Sequence, residues 1–506
     1  MITKICKPIP YQKINFMIKF TKTKYTWVKP GGFNTGIHVY NCVAKEKVPL
    51  ITKQKGIITW YTCGPTVYDD AHIGHATCYL KIDILQRILF KYFNFILVTA
   101  MNITDIDDKI IQKSNDLKKS HIEISQLYEK NFWQDLENIK IKKPDVILRV
   151  SENIPHIKNY IQVLIDKKFA YKSIDGSVYF KIEDFTNYGK LVKIHKDTDD
   201  IKDNKTMDCV VWKASKLNEP FWESSWGNGR PGWHIECSAL ASKLFGSSVD
   251  IHAGGMDLKF PHHENEEAQS CAYHSCSQWV NYWVHIGQLH MKSSEKMSKS
   301  LKNTISISCV LNRYHSDVLR FACVMSHYRS RMEYSEELLN MSRKTLEKFR
   351  NFLNNCDLYI SNNEGSATDE QSIQFLLIDS RKEIHEAFCD DFNTPAVIQI
   401  LNRIMHTINP LLNGNTVSIS TVVSLKKLFN HILNVFNITI TEVNVGSEPR
   451  ESEITNVLID FRKTIREIAL ATKDKDILHI CDEIRSTLKS KGIDIRDVNK
   501  NIQKNR

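Results

Sequence analysis

No uninterrupted apolar run in the 506 residues reaches the roughly 18 that a membrane-spanning helix needs, which excludes a membrane bundle. Glycine (19) and proline (13) are sparse, and there is no internal repeat or low-complexity block, so collagen-like and biased chains are excluded too. No two of the 13 cysteines form a Cys-x-x-Cys pair. Odd in number and scattered from Cys6 to Cys481, they are not a secreted disulfide framework; a reducing compartment is expected, with any employed cysteine beside His, Asp or Glu. The first 45 residues lack arginine and any acidic side chain, the first being Glu46, yet hold eight lysines. That bias is expected of a mitochondrial presequence, the alternative being a lysine-biased disordered leader. Lys4, Lys7, Pro8, Pro10, Gln12 and Lys13 interrupt Met1 to Phe20 and argue against a secretory signal.

What is present is an ordinary globular composition, with 42% hydrophobic and 25% charged residues and length for roughly three domains. With 68 Lys plus Arg against 58 Asp plus Glu, the net charge of +10 is a mild pointer to a polyanionic partner such as nucleic acid. From Gly56 the pattern becomes regular. Ile57 to Thr62 reads as a short buried strand ended by Cys63-Gly64-Pro65. Leu80, Ile84, Leu85, Ile88, Leu89 and Tyr92 then recur at helical spacing, and Phe95 to Thr99 reads as a second strand. Strand, turn, helix, strand is a βαβ unit, so an α/β fold with a parallel sheet is expected, its ligands at the carboxyl ends of the strands. Residues of about 115–205, with Val178-Tyr179-Phe180 and a charged run from Lys196 to Lys205, read as an insertion. From about Ser335 amphipathic helices follow one another (Glu336–Leu353, Ile373–Phe388, Ala396–Leu412, Ile454–Ala471), a separate helical domain.

Three constellations carry chemistry. Ala71-His72-Ile73-Gly74-His75-Ala76 heads the first helix, where free backbone N–H groups and the positive dipole end attract phosphate. Gly74 permits close approach of a ligand, and His72 and His75 can donate hydrogen bonds to a phosphoryl group, although such histidines also serve as capping or packing groups. Lys296-Met297-Ser298-Lys299-Ser300 lies in a Ser/Lys-rich stretch that can close over a triphosphate; an exposed basic loop is the plainer reading. In His262-His263-Glu264-Asn265-Glu266, a helix would put His262 and Glu266 on one face as ligands of one zinc ion, with Cys237 and Cys63 the best thiolates to complete the shell. A buried hydrogen-bonded cluster is the equal alternative.

Taken together and in order, Cys63 to Asp69, the His72 to His75 motif, Asn102 to Ile110, Gly229 to Ser238, His252 to Glu266 and Lys296 to Ser300 resemble the class I cysteinyl-tRNA synthetases, with similarity from about Trp60 to Ile495. Thr35 to Asn41 and Asp391 to Pro395 are most similar to the animal mitochondrial branch. The resemblance implies a Rossmann-like catalytic domain with an insertion, followed by an all-α C-terminal domain. The boundaries it suggests are a leader and N-terminal extension at 1–55, the catalytic domain at 56–330 with the insertion at about 115–205 and the Lys/Ser loop at 291–303, and a helical stem-contact and anticodon-binding region at 331–506. It implies activation of L-cysteine by ATP to cysteinyl-adenylate with release of pyrophosphate, then transfer to the 3′-terminal adenosine of tRNA-Cys. The same resemblance gives His72, His75, Lys296 and Lys299 the catalytic roles, with Gly74, Met297, Ser298 and Ser300 also at ATP. It assigns one zinc ion to Cys63, Cys237, His262 and Glu266, and the cysteine pocket to Cys63, Gly64, Thr104, Trp233 and Asp257. Magnesium is expected with ATP. Because a thiolate binds zinc far better than a hydroxyl does, no editing domain is needed against serine. The expectation is a monomer without membrane attachment in the mitochondrial matrix, the cytoplasm being the alternative.

Three rival readings remain at this stage. A zinc hydrolase using Glu264 or Glu267 as base leaves the His72 and Lys296 motifs without work. A ligase joining cysteine to a small amine does not require the long helical region. A tRNA-binding protein without catalysis does not require intact motifs. Lys109 is present but Gln112 stands where a lysine is often found in members credited with making cysteine persulfide through pyridoxal phosphate, so that side activity is not expected.

Overall fold

The computed structural model describes residues 26–192, 208–291, 304–362, 370–414, 416–439 and 449–490. The chain opens with an antiparallel hairpin of β1 (Phe33–Asn41) and β2 (Glu46–Thr52). Then follow β3 (Ile57–Thr62), α1 (Ile73–Arg87), β4 (Ile96–Ile103), α2 (Asp108–Leu117), α3 (His121–Asn138), β5 (Val146–Arg149) and α4 (Ile154–Asp166). Four short strands, β6 (Ala170–Lys172), β7 (Val178–Phe180), β8 (Cys209–Ala214) and β9 (Gly229–Pro231), form a separate antiparallel sheet. The chain returns through α5 (Trp233–Phe245), β10 (Val249–Gly255), α6 (Glu264–His274) and β11 (Val280–Ile286).

The main sheet has the order β11-β10-β3-β4-β5 and every pairing in it is parallel. Counted along the chain this is 3-2-1-4-5, the doubly wound arrangement whose direction reverses between β3 and β10. Strands covered on both faces read as continuous apolar runs, and all seven residues of β11 are buried. The expected βαβ unit is therefore β3-α1-β4. The stretch 115–205, expected as an insertion, is divided: its β5 is the edge strand of the main sheet, whereas β6 and β7 join the antiparallel sheet, which continues to Pro231. The charged run at 196–205 lies outside the described residues.

Beyond the sheet come β12 (Leu289–Met291), α7 (Ile307–Leu311), α8 (Ser316–Val324), β13 (Met332–Tyr334), α9 (Glu336–Asn362), α10 (Glu370–Cys389), α11 (Thr394–Asn413) and α12 (Ile419–Val435). These helices share one compact unit with the main sheet, up to Thr439. Arg320 of α8 is fully buried and joins distant parts of it. Its guanidinium donates to Asp83 Oδ2 of α1 (2.6 Å), to the carbonyls of Ile139 (3.1 Å) and Lys140 (2.7 Å), and to that of Phe436 after α12 (3.4 Å). Arg320→Ala is expected to cost about 3 kcal/mol, because it takes a donor from buried carbonyls and leaves Asp83 with Arg87 Nε–H (2.8 Å) and Lys142 N–H (3.2 Å) as its remaining partners. A clearly lowered urea midpoint checks this, and an unchanged one contradicts it.

Residues 26–55 belong to the folded body, although this region is expected as leader and extension. Ile51 N–H donates to Tyr282 Oη (2.8 Å), Lys53 N–H to Asp250 Oδ1 (3.0 Å) and Trp27 Nε1–H to the Asn281 carbonyl (3.0 Å). A second clasp reaches far along the chain: Asp391 accepts from Tyr40 N–H (2.9 Å), Tyr328 Oη–H (2.7 Å) and Arg329 Nε–H (2.7 Å). Ile37 and Val39 alternate into the core, the period-2 signature of a half-buried strand. Residues 1–25 lie outside the described ones.

A second compact unit is the hairpin of α13 (Pro449–Thr472) and α14 (Lys475–Ser490), where buried Arg462 donates Nε–H to the Cys481 carbonyl (2.8 Å). Among the described residues no helix is long and apolar enough to cross a membrane.

Candidate active site and metal centre

The reversal of strand order leaves a crevice at the carboxyl ends of β3 and β10, and the candidate residues collect there. β3 runs directly into Cys63. Helix α1 then starts at His72, whose extended backbone makes it the N-cap: its Nδ1 accepts from Gly74 N–H (3.1 Å), while His75 Nδ1 accepts from His72 N–H (3.4 Å). The two rings stack with centroids 3.9 Å apart. A Cβ on Gly74 would lie 2.8 Å from the His72 ring, so this glycine makes room for the cap itself. Capping is thus one job of both histidines. Ile73 N–H donates to the Ile305 carbonyl (3.0 Å), so the chain just after the Lys/Ser stretch lies against this helix start. Lys296, Met297, Ser298, Lys299 and Ser300 lie outside the described residues.

Cys63, Cys237 of α5, His262 and Glu266 of α6 converge, their ligand atoms all within 4.8 Å of one another and every residue buried. The segment is not a regular helix at His262, since α6 begins at Glu264, yet His262 Nε2 still reaches Glu266 Oε1 at 3.0 Å. Zinc bonds of about 2.3 Å to sulfur and 2.0–2.2 Å to oxygen in a tetrahedron imply edges of about 3.8 Å between two sulfurs and about 3.6 Å between sulfur and oxygen. Cys63 Sγ stands 3.8 Å from Cys237 Sγ and 3.5 Å from Glu266 Oε1, which match those edges, while His262 Nε2 and Glu266 Oε1, 3.0 Å apart, would part by a few tenths of an ångström to reach the about 3.4 Å of a nitrogen–oxygen edge.

Electrostatics inside the cluster oppose burial. Burial raises the Cys237 thiol, but hydrogen bonding from Cys63 and the charge of His262 bring it down to about 6. Burial lowers His262, and the Glu266 carboxylate together with Cys237 reverses this to about 10. The Glu266 carboxyl is held well below the usual carboxylate range by His252 and His262 despite its burial.

Sequence reasoning missed the surrounding imidazoles. His252 Nε2 lies 2.8 Å from Glu266 Oε2, His263 Nε2 lies 3.4 Å from Cys63 Sγ and its Nδ1 2.9 Å from His285 Nε2, while His234 Nδ1 meets His262 Nδ1 at 2.8 Å. Cys63, His252, His263 and Glu266 form a second donor set sharing two members with the first. The available signal was a histidine inside each of two otherwise buried strands, His252 in β10 and His285 in β11.

The expected amino-acid pocket borders the cluster. A Cβ on Gly64 would fall 1.6 Å from the Asn102 carbonyl oxygen, so only glycine lets the loop after β3 pass there. A buried chain of hydrogen bonds runs from Gly64 N–H to Asn102 Oδ1 (2.8 Å), from Asn102 Nδ2–H to Thr104 Oγ1 (3.3 Å) and from Thr104 Oγ1–H to Glu236 Oε2 (2.6 Å). Trp233 is 43% exposed and stacks on His262 at 4.3 Å, so it is no core tryptophan. Asp257 sits on the turn Met256–Leu258 after β10.

Glu264 and Glu267, the bases a hydrolase would use, are consumed elsewhere. Glu264 accepts from the N–H groups of Gly189, Lys190 and Leu191, and Glu267 from those of Trp279 and Val280 and from Lys190 Nζ.

Comparison with known proteins gives a consistent answer. Residues 49–344 match the family described as tRNA synthetases class I (C) catalytic domain, and residues 383–441 match the DALR domain. A Xenopus tropicalis protein described as "Probable cysteine--tRNA ligase, mitochondrial" is 36% identical over 93% of this chain and 90% of its own length. The cysteine–tRNA ligase of Methanococcus maripaludis is 38% identical over 91% of this chain and 97% of its own. The cytoplasmic cysteine–tRNA ligase of Dictyostelium discoideum is 35% identical over 93% of this chain and 78% of its own. Among solved structures, Mycobacterium tuberculosis methionyl-tRNA synthetase in complex with methionyl-adenylate superposes with a TM-score of 0.57 at 12% identity, covering 75% of this chain and 89% of that one. A putative arginyl-tRNA synthetase of Campylobacter jejuni gives 0.55 at 13% identity, covering 76% and 93%. At such identities these structures share the fold alone.

Proposed function

Because this chain belongs to the cysteine–tRNA ligase family of class I synthetases, we propose that the crevice between β3 and β10 is where it joins cysteine to tRNA, with the residues above in specific roles. The reaction has two steps. A cysteine carboxylate oxygen attacks the α-phosphorus of ATP and the bond to pyrophosphate breaks; a ribose hydroxyl of the 3′-terminal adenosine of tRNA-Cys then attacks the acyl carbon and AMP leaves.

The observation that carries the assignment is the convergence of two thiols, an imidazole and a carboxylate at tetrahedral spacing. Cys63, Cys237, His262 and Glu266 would hold zinc; when bound, the ion supplies a soft position for the thiolate of the amino acid and none as good for the hydroxyl of serine. Of the two donor sets the one with two sulfurs suits this ion better. Trp233, Thr104, Gly64 and Asp257 position the rest of the cysteine.

His72 and His75 each accept a backbone N–H at Nδ1, which places the proton of a neutral ring on Nε2, the nitrogen that would donate to phosphate. Charge developing on the α-phosphate is stabilised by those donors and by the N-terminus of α1. Lys296 and Lys299 supply charge to the departing pyrophosphate, with Met297, Ser298 and Ser300 in the same loop, and magnesium accompanies the nucleotide. The helical region 331–506 of this +10 chain contacts the tRNA, and the lysine-rich first residues direct a monomer to the mitochondrial matrix. Cysteine-dependent ATP–pyrophosphate exchange with serine as control, followed by charging of tRNA-Cys, tests the site assignment once combined with the substitutions below.

Glu236 positions Thr104 through the buried chain. Glu236→Ala is expected to raise KM for cysteine about tenfold in the exchange assay, leaving KM for ATP and zinc content unchanged. Glu236→Gln keeps an acceptor at the same place and should restore KM. Equal defects in both variants would contradict the positioning role.

A further inference from the structure

A cavity of about 560 Å³ is lined by residues that follow the carboxyl ends of β4 and β5, and none of the roles above uses it. Its floor is Asp105 and Ile106, which directly follow Thr104. One wall is the face of α3 that carries His121, Gln126 and Trp133, and Trp222 from the antiparallel sheet's loop closes it. Positions 121, 125, 129 and 133 recur every four residues, which is why one helix face supplies them all.

The acids in this cavity are already engaged. Asp105 accepts from Ser151 N–H (2.9 Å) and from its hydroxyl, Glu129 accepts from Trp133 Nε1–H (3.0 Å) and from two nitrogens of Arg149 (2.8 and 2.7 Å), and Glu152, the third, accepts from Arg149 Nη1–H (3.3 Å). Among the described residues, no side-chain hydrogen bond engages the His121 ring, the Gln126 amide, the Trp222 indole N–H or the Lys130 ammonium, although the Asp105 carboxylate is close enough to act on His121 through its charge. Burial pushes the His121 ring down from its ordinary value against the upward pull of the Asp105 carboxylate, and a neutral ring offers one donor and one acceptor. Two flat rings, neutral hydrogen-bonding groups and a lysine at the mouth do not make an anion site. They suit an unstacked nucleobase, which is recognised by stacking and by hydrogen bonds to its edge.

The reaction brings such a base here. The ribose of the terminal adenosine must reach the acyl group beside Thr104, and Asp105 and Ile106 of the cavity directly follow that residue, so the cavity lies within reach of the nucleotides next to that ribose. We propose that the cavity receives the base of one of the two nucleotides that precede the 3′-terminal adenosine, stacked against Trp222 and His121. The inference rests on the placement of the amino acid at Thr104.

The test uses the full chain with Trp222→Ala and, where lost packing is a concern, His121→Ala on the half-buried helix face, with thermal unfolding as the folding control. Charging efficiency, kcat/KM for tRNA-Cys, is expected to fall about tenfold, the effect of one base–aromatic stack, while ATP–pyrophosphate exchange stays within about twofold. With tRNA carrying an abasic nucleotide at the occupied position, the same substitutions should cost nothing further. Unchanged charging, exchange that falls in step with charging, or losses that multiply at both abasic positions would each overturn the proposal. Failure of the Thr104 placement reads out separately, as a Thr104→Val variant with unaltered KM for cysteine in exchange.

Discussion

Cys237→Ala should lose both its zinc and its use of cysteine, with kcat/KM for cysteine in ATP–pyrophosphate exchange falling by about 10⁴-fold, the scale on which a site built around a directed bond rejects a substrate that cannot form it. Three observations set this size. Cys237 is one of only two sulfurs in its donor set, it is buried at 1% exposure, and its charge is matched by His262. Removing the thiol leaves His262 and Glu266 as an ion pair at 3.0 Å that needs no metal. Elemental analysis of the purified variant gives the zinc content, and far-UV circular dichroism shows whether α5 is intact. A folded Cys237→Ala protein that keeps one zinc and full exchange would mean that the second set, Cys63, His252, His263 and Glu266, is the metal centre.

His72 and His75 should show almost as large an effect, of a different kind. His72→Ala removes an N-cap and a phosphate donor together, and the two losses can be separated. Asparagine is among the strongest N-caps, so His72→Asn should restore the roughly 1 kcal/mol of helix stability that alanine gives up. It should not restore the rate: a loss of about 10²–10³ in kcat of exchange is expected for both variants and for His75→Ala, the usual effect of removing one preorganised donor from a developing charge. Full activity in His72→Asn would reduce the motif to a helix cap. The stacking of the rings at 3.9 Å further predicts that the double variant loses less than the product of the single losses.

The residues that lie where the main chain is most constrained were the most legible. Strand Ile57–Thr62, helix α1 and β4 follow from short apolar runs, a Gly-Pro stop and helical apolar spacing, and the parallel sheet follows from their order. The pairing of His262 with Glu266 was legible through i,i+4 spacing even though regular helix starts only at Glu264, because the irregular turn before α6 ends in helical geometry. Three things were not legible, for physical reasons. The hairpin β1–β2 begins within the acid-poor first 45 residues, whose lysine bias, carried by the residues before Phe33 and by Lys45, hid an alternating core face. β5 has only four residues, too few for periodicity to register, so its place in the main sheet rests on tertiary pairing with β4. The imidazoles of His252, His263 and His285 gather round Cys63 and Glu266 only once β10 and β11 pair side by side.

The clasp between Tyr40 and Asp391 imposes a timetable on synthesis. The hydrogen-bonded partners lie 351 residues apart, so at 5–20 residues per second the ribosome delivers Asp391 about 20–70 s after Tyr40. Throughout that interval the strand edge of the opening hairpin lacks this closing partner, and nascent chains stopped before residue 391 present it to whatever binds extended polypeptide. In a chain that folds as it is made, the first strand is therefore available to chaperones or to the wrong neighbour for about 20–70 s.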